Sequence, residues 1–339
     1  MNARTTALCA LIAIRRQNAW ADGALKEYTA RDRLDRRDAA FAARLLYGVV
    51  QNRMLLDFYL AQRVSCGLGK LQPVVLDILR LGAYQILFLD KVPVSAAVNE
   101  AVEQTKTYAN KRAAGLVNGT LRALAREKDA LVEPTDLATK YSHPQPLIDC
   151  LRGSLSDDDM EAFLRADNDI AKTALQYNPL KTTPAAVESA LTQAEIPFER
   201  HPWLNGCWLV SGTGNLERLA LFQDGCVYVQ DPAAKLTALA AGAQPGMRVL
   251  DVCAAPGGKS FAAAMQMRNE GSVLSCDLHA HKIALIEKNA ARLGISILRA
   301  EQRDASQFEP AFAGAFDLVI ADVPCSGLGV IRKKPDIRY

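Results

Sequence analysis

The sequence predicts a multidomain chain: an all-α bundle, then a small α+β unit, then a Rossmann-like α/β unit. Three changes of rhythm carry this. Between Thr5 and about Glu127 apolar residues recur at three and four. From Thr173 to Gln230 short β-like runs alternate with helical ones, and after Asp231 helix and strand alternate regularly. The domain limits that follow are 1–135, 136–231 and 232–339, and a chain of 339 residues is long enough for all three.

Composition narrows the classes. With 50% hydrophobic and 23% charged residues and no internal repeat, neither a disordered nor a collagen-like chain fits. The net charge of +3 hides an asymmetry: residues 1–130 carry 20 Lys and Arg against 12 Asp and Glu, while 131–339 carry 20 against 25. The first third is a basic module. Eight cysteines without a CxxC pair, and no visible secretory leader, predict a reduced, cytoplasmic setting without a disulfide framework. The four histidines are not spaced with cysteines as zinc ligands would be, so no metal is expected. Apolar runs are too short and too interrupted by charge for a membrane span. A monomer is expected.

In the first unit the helical period is clear in Phe41, Leu45, Leu46, Val49 and Val50 and again in Val74, Val75, Ile78, Leu79 and Leu81. Pro73 and Pro93 mark helix starts, and helices are expected over Ser95–Tyr108 and Arg112–Arg126. Arginines interleave the apolar positions: Arg15, Arg16, Arg31, Arg33, Arg36, Arg37, Arg44, Arg53, Arg112, Arg122 and Arg126. They form either a solvated face or a phosphate-contacting one. Val132–Tyr141, with Pro134, reads as a linker. The middle unit has strands over Thr173–Tyr177, Cys207–Val210 and Cys226–Val229 and helices over Pro184–Ala194 and Asn215–Leu221. In the last unit helices over Pro232–Ala241, Gly258–Met267 and Ala280–Leu293 separate strands at Arg248–Val252, Ser272–Asp277, Ser296–Leu298 and Phe316–Ala321, which predicts a parallel sheet.

The richest segment is Asp251-Val-Cys-Ala-Ala-Pro-Gly-Gly-Lys-Ser260, a strand, a glycine turn and a helix start. Adjacent glycines permit positive φ and close backbone approach, and free amides at the helix start can meet a nucleotide-like ligand. Gly258-Lys259-Ser260 suggests a P-loop, but that motif requires glycine where Cys253 stands. About 20 residues on, Asp277 ends the next strand, where such folds place the acid that grips ribose hydroxyls. Asp304 follows the third strand and could accept from an adenine amino group. His279 and His281 read as helix-start residues near the entrance. The fourth strand opens onto Asp322-Val-Pro-Cys325-Ser-Gly-Leu-Gly, which puts an acid and a thiol in one loop. A lone cysteine is most often a small core residue. Flanked by Asp322, Pro324 and glycines at a strand's carboxyl end, Cys325 is expected to face the pocket.

DVCAAPGGKS together with DVPCSGLGVIRKKPDI resembles the S-adenosylmethionine-dependent RNA cytosine-5 methyltransferases, and the basic helices resemble the NusB antitermination-factor fold. The resemblance spans nearly the whole chain. It implies that Ala254, Ala255, Pro256, Gly257, Gly258, Lys259 and Ser260 hold the methionine and backbone parts of S-adenosyl-L-methionine, Asp277 its ribose and Asp304 its adenine. Asp322 would lie beside both cofactor and target base, and the substrate would be 16S ribosomal RNA in a loop or single-stranded region. Val323 and Leu328 depart from the usual pattern without removing a functional group. In DNA cytosine-5 methyltransferases the cysteine after proline attacks. In the RNA family the resemblance implies a second cysteine, in a Thr-Cys-Ser segment, as nucleophile, with the Pro-Cys thiol assisting product release. Residues 1–339 contain no such segment and only four of about seven sheet strands, so a C-terminally shortened methyltransferase domain without methyl transfer is the expectation. Two rival readings are an RNA-binding protein without catalysis and a P-loop nucleotidase. Retained RNA affinity without cofactor affinity would mark the first, and ATP binding through Lys259 the second.

Overall fold

The computed structural model describes residues 2–211 and 216–339 and divides into two compact units, Met1–Ala171 with Ser326–Tyr339, and Lys172–Cys325. The first is helical. Its main helices are α1 (Ala3–Gln17), α2 (Ala21–Arg31), α3 (Arg36–Gln51), α4 (Arg53–Ala61), α5 (Pro73–Phe88), α6 (Val94–Tyr108) and α7 (Ala113–Glu127). Local chemistry sets their ends: the Asn2 side chain accepts from the Thr5 amide, Asp35 from Asp38, and Pro73 occupies the first turn of α5. The periodic residues Leu45, Leu46, Val49, Ile78, Leu79 and Leu81 are all essentially inaccessible and form one core. Gly82 on α5 lets α7 come close, since a Cβ there would sit 2.5 Å from Leu121.

A helix forms within the linker expected over Val132–Tyr141, and two more follow in residues 142–171, which were expected to open the middle unit. Asp136 caps α8 (Leu137–Tyr141) by accepting from Thr139, and α9 (Gln145–Leu151) and α10 (Asp157–Asp167) follow. Ile148, Met160 and Leu164 bury a small core that takes in Met54 of the bundle, which places these helices in the first unit. Pro134 and the polar residues around it suggested a loop because five-residue helices leave almost no periodic signal.

The second unit joins two sheets. An antiparallel sheet of β1 (Thr173–Tyr177), β2 (Phe198–Arg200), β3 (Cys207–Val210) and β4 (Val227–Val229) has order β2-β3-β1-β4. The helix α11 (Pro184–Gln193) packs on it through Val187 and Leu191 against Trp208. Of the helix expected over Asn215–Leu221, Asn215 lies outside the described residues. The rest is a 3-10 turn at Leu216–Arg218 followed by α12 (Ala220–Gln223). After α13 (Pro232–Ala240) comes a parallel sheet of β5 (Arg248–Asp251), β6 (Ser272–Asp277), β7 (Leu298–Gln302) and β8 (Leu318–Ile320), in order β7-β6-β5-β8. The crossovers are α14 (Gly258–Gln266) and α15 (Ala280–Leu293). Asn178 is fully buried and ties the two parts, donating to the Gly225 and Leu293 carbonyls at 2.9 and 2.7 Å.

The chain moves outward from β5 to β6 and β7, then returns to β8 on the other side of β5. That reversal opens a crevice at the carboxyl ends of β5 and β8, where open α/β sheets bind ligands. Residues 326–339 group with the compact helical unit. The unit Lys172–Cys325 carries both expected sheets, each with its own apolar cluster.

Candidate functional site

The backbone leaves β5 at Asp251 and turns through Cys253–Gly257 into α14. Gly257 has φ of +107°, and a Cβ on it would lie 2.2 Å from the Phe261 ring, so the turn needs glycine for both conformation and space. The first amides of α14 have no partner within the helix. Gly258 is less constrained, since a Cβ there would come only to 3.2 Å from Gln230 Nε2.

Asp277, at the end of β6, is 6% exposed. Its Oδ2 accepts from the Ala255 amide at 3.2 Å and its Oδ1 from the His279 amide at 3.2 Å, with Lys282 Nζ at 3.4 Å. Burial pushes the Asp277 carboxyl up, but those backbone donors and Lys282 outweigh it and leave it below the usual carboxylate range. The predicted turn and the predicted acid are therefore joined directly.

Lys259, at the start of α14, pairs with Asp322 beyond β8. This contact spans the crevice and occupies the lysine that a P-loop would aim at phosphate. Cys325 is exposed and forms no hydrogen bond with Asp322, so the structure does not bring the acid and the thiol of that loop into contact. Asp304 takes a third position. Its Oδ1 accepts from the Ser306 amide and hydroxyl at 2.9 and 2.7 Å, which holds the exposed carboxyl below its ordinary value. It lines a cleft of about 610 Å3 with Val252, Cys276, Arg303, Phe308 and Phe312. Asp277, Lys259, Asp322 and Cys325 are not part of that cleft's wall. His279 is the residue that precedes α15, as expected, and its ring stacks on His281 at 5.6 Å.

Three polar residues of the site were not singled out from sequence. Asp251 is 1% exposed; its Oδ2 accepts from Ser260 Oγ at 2.7 Å, and Ser260 Oγ in turn accepts from Ser275 Oγ at 2.8 Å. Burial, only partly offset by Ser260, pushes the Asp251 carboxyl up to about 6. The alternation of β6 hides Ser275, which reads as an outward polar position yet is buried. Asp251 Oδ1 and both side-chain polar atoms of Gln230 are buried without a protein partner. Unmet polar atoms around a glycine cradle fit a polar, nucleoside-bearing cofactor such as S-adenosylmethionine. Among the described residues no cluster of three or more His, Cys, Asp or Glu could hold a metal, and no helix is long and apolar enough to cross a membrane.

Comparison with known proteins places this geometry. Residues 1–126 match the NusB family model, and residues 238–339 match the model for the 16S rRNA methyltransferase RsmB/F. A probable ribosomal RNA small subunit methyltransferase B of Bacillus subtilis is 37% identical over 343 residues, covering 99% of this chain and 76% of the relative. The ribosomal RNA small subunit methyltransferase B of Vibrio cholerae is 30% identical over 89% of this chain and 70% of its own length. The crystal structure of PH0851 shares the fold with a TM-score of 0.76 at 23% identity, over 98% of this chain and 77% of that one. The expected C-terminal shortening is not borne out by these matches. The chain belongs to the ribosomal RNA small subunit methyltransferase B family.

Proposed function

We propose that this protein methylates carbon 5 of a cytosine in a loop or single-stranded stretch of 16S ribosomal RNA. Family membership makes it an S-adenosylmethionine-dependent rRNA methyltransferase. The base and the atom are the finer reading. The observation that carries it is the ionised Asp277 at the end of β6, bonded to Ala255 of the glycine turn, with Lys259 and Asp322 paired across the neighbouring crevice.

In this reading the turn from Ala254 to Ser260 holds the methionine end of the cofactor, with Gly257 and Gly258 allowing close approach and Lys259 and Ser260 offering helix-start amides. Asp277 accepts from the ribose hydroxyls. Asp304, at the cleft beyond β7, accepts from the adenine amino group. When bound, the cofactor supplies an electrophilic methyl group.

Ring carbon 5 of cytosine is a poor nucleophile until a thiolate adds at carbon 6 and pushes electron density across the ring. After methylation the proton on carbon 5 leaves and the thiolate is expelled, which restores the ring. Asp322 sits beside N3 and the exocyclic amino group of the flipped base, and the Lys259 ammonium balances the negative charge arriving there. The base must be unstacked to enter, so unpaired RNA is the natural substrate. In this reading Cys325 assists product release. Transfer of a labelled methyl group to 16S rRNA, followed by digestion to nucleosides, tests the base assignment. The label is expected in 5-methylcytidine, and label in another nucleoside would overturn it. Activity of residues 1–339 that is abolished by Cys325→Ala would instead make Cys325 the nucleophile.

In the helical unit, Asp77, Asp32 and Glu127 neutralise Arg15, Arg31 and Arg63. Arg16, Arg33, Arg36, Arg37, Arg112 and Arg126 are exposed, have no acidic partner among the described residues, and are the cations we assign to RNA phosphates.

A further inference from the structure

The polypeptide crosses between its two compact units twice, after Ala171 and after Cys325. The second crossing falls inside the acid and thiol loop. Upstream, that loop is fixed by β8 and by the Lys259 contact to Asp322, but Val323, Pro324 and Cys325 are all exposed. Downstream, a dense set of bonds begins.

Arg338 is 5% exposed. Its Nη1 donates to the carbonyls of Gln51, Tyr141 and Ser142 at 3.1, 3.3 and 3.4 Å, and its Nη2 to that of Asp167 at 3.2 Å. These acceptors come from α3, the end of α8 and α10, so one guanidinium gathers three helices. Burying a guanidinium is costly unless most of its donors are met, and here Nη1 and Nη2 are met while Nε has no protein partner. Tyr339 donates to the Ser142 carbonyl at 3.2 Å, and Arg53 stacks on its ring at 3.8 Å. Asp336 accepts from the Ala21 amide at 2.8 Å and so supplies the cap that Trp20 does not give α2. Arg332 donates to the carbonyls of Asp169 and Ile170 at 3.3 and 3.2 Å, just before the first crossing. Ile331 and Pro335 are buried.

We propose that residues 326–339 are a strap by which the helical unit holds the downstream end of the Asp322–Cys325 loop. Arg338 is its anchor, and Arg332 ties the two crossings to each other. Both are positioning residues. They touch neither substrate nor cofactor, and act by limiting where Asp322 and Cys325 can go. The assignment of that loop to the reacting base rests on the methyltransferase reading; the strap itself does not.

A nitroxide on Cys325 tests it in the full chain, with the other exposed cysteines, Cys66 and Cys150, replaced by serine. Arg338→Met keeps the stem and removes the donors, Arg338→Lys restores part of them, and Arg332→Ala spares the core should Arg338→Met fail to fold. The strap predicts loss of the immobilised spectral component in Arg338→Met and in Arg332→Ala, with partial recovery in Arg338→Lys. An unchanged spectrum in folded Arg332→Ala and Arg338→Met would overturn it. Affinity for S-adenosylmethionine should stay within about twofold in Arg332→Ala, because the cofactor residues lie in the other unit. A parallel loss of that affinity would make the segment a general stability element and overturn the positioning role. Failure of the unsubstituted chain to bind the cofactor would sink the methyltransferase reading and leave the spectra to judge the strap alone.

Discussion

Asp251 and Asp277 end neighbouring parallel strands, and both are nearly inaccessible, yet their pKa values are shifted in opposite directions. Asp277 receives two backbone amides and Lys282, and falls below the ordinary range. Asp251 receives the Ser260 hydroxyl and a weaker contribution from the Cys253 backbone, which burial outweighs, and it rises to about 6. Burial alone does not decide the charge of a strand-end acid; the count of donors does. One acid can therefore grip ligand hydroxyls as an ion, while the other serves the framework under the glycine turn.

The largest expected break in this contrast comes from Asp277→Ala. It should lower S-adenosylmethionine affinity about a hundredfold, because it removes a charged acceptor and frees two buried amides, whereas Asp251→Asn should leave affinity much less changed. Equal losses would mean the two acids share one role. Next in size is stability against pH. Asp251 has its pKa raised in the folded state, so the folded form holds the extra proton between about pH 4 and 6 and stability falls as pH rises through that window. Asp251→Asn should remove that fall and gain roughly 2 kcal/mol above pH 6 in denaturant titrations. Asp277 runs the other way: its lowered pKa contributes stability that is present above the ordinary carboxylate pKa and is lost on acidification below it. A pH profile of Asp251→Asn parallel to the unsubstituted one would contradict the assignment.

Two smaller substitutions sharpen the same contrast. Ser260→Ala deletes the donor to Asp251 and should cost about 1 kcal/mol while moving the Asp251 titration further up, as read by carboxyl infrared bands. Lys282→Ala removes a half-exposed partner 3.4 Å from Asp277 and should cost only about 0.5 kcal/mol, since the two backbone amides carry most of the effect. A large loss on Lys282→Ala would shift the credit from the backbone to the ion pair.

How much of this was legible in the sequence follows from how local each signal is. The strand over Ser272–Asp277 and the helix over Ala280–Leu293 have the limits read from their periodicity, and the glycine turn was evident from its own residues. Asp277 was found by spacing from that turn. The Asp251–Ser260–Ser275 chain was not, because its three members lie on three elements and only folding brings them together. The strand Phe198–Arg200 was missed, having three residues, two of them charged and exposed. Nothing within Arg332 or Arg338 announces that their acceptors are carbonyls more than 150 positions away.

The account rests on the carboxyl edge of β5 and β6 being a seat for S-adenosylmethionine. Isothermal calorimetry of residues 1–339 with that compound alone tests it most directly. Saturable heat with one site per chain is the result expected; no heat at any concentration up to saturation of a known methyltransferase would contradict it.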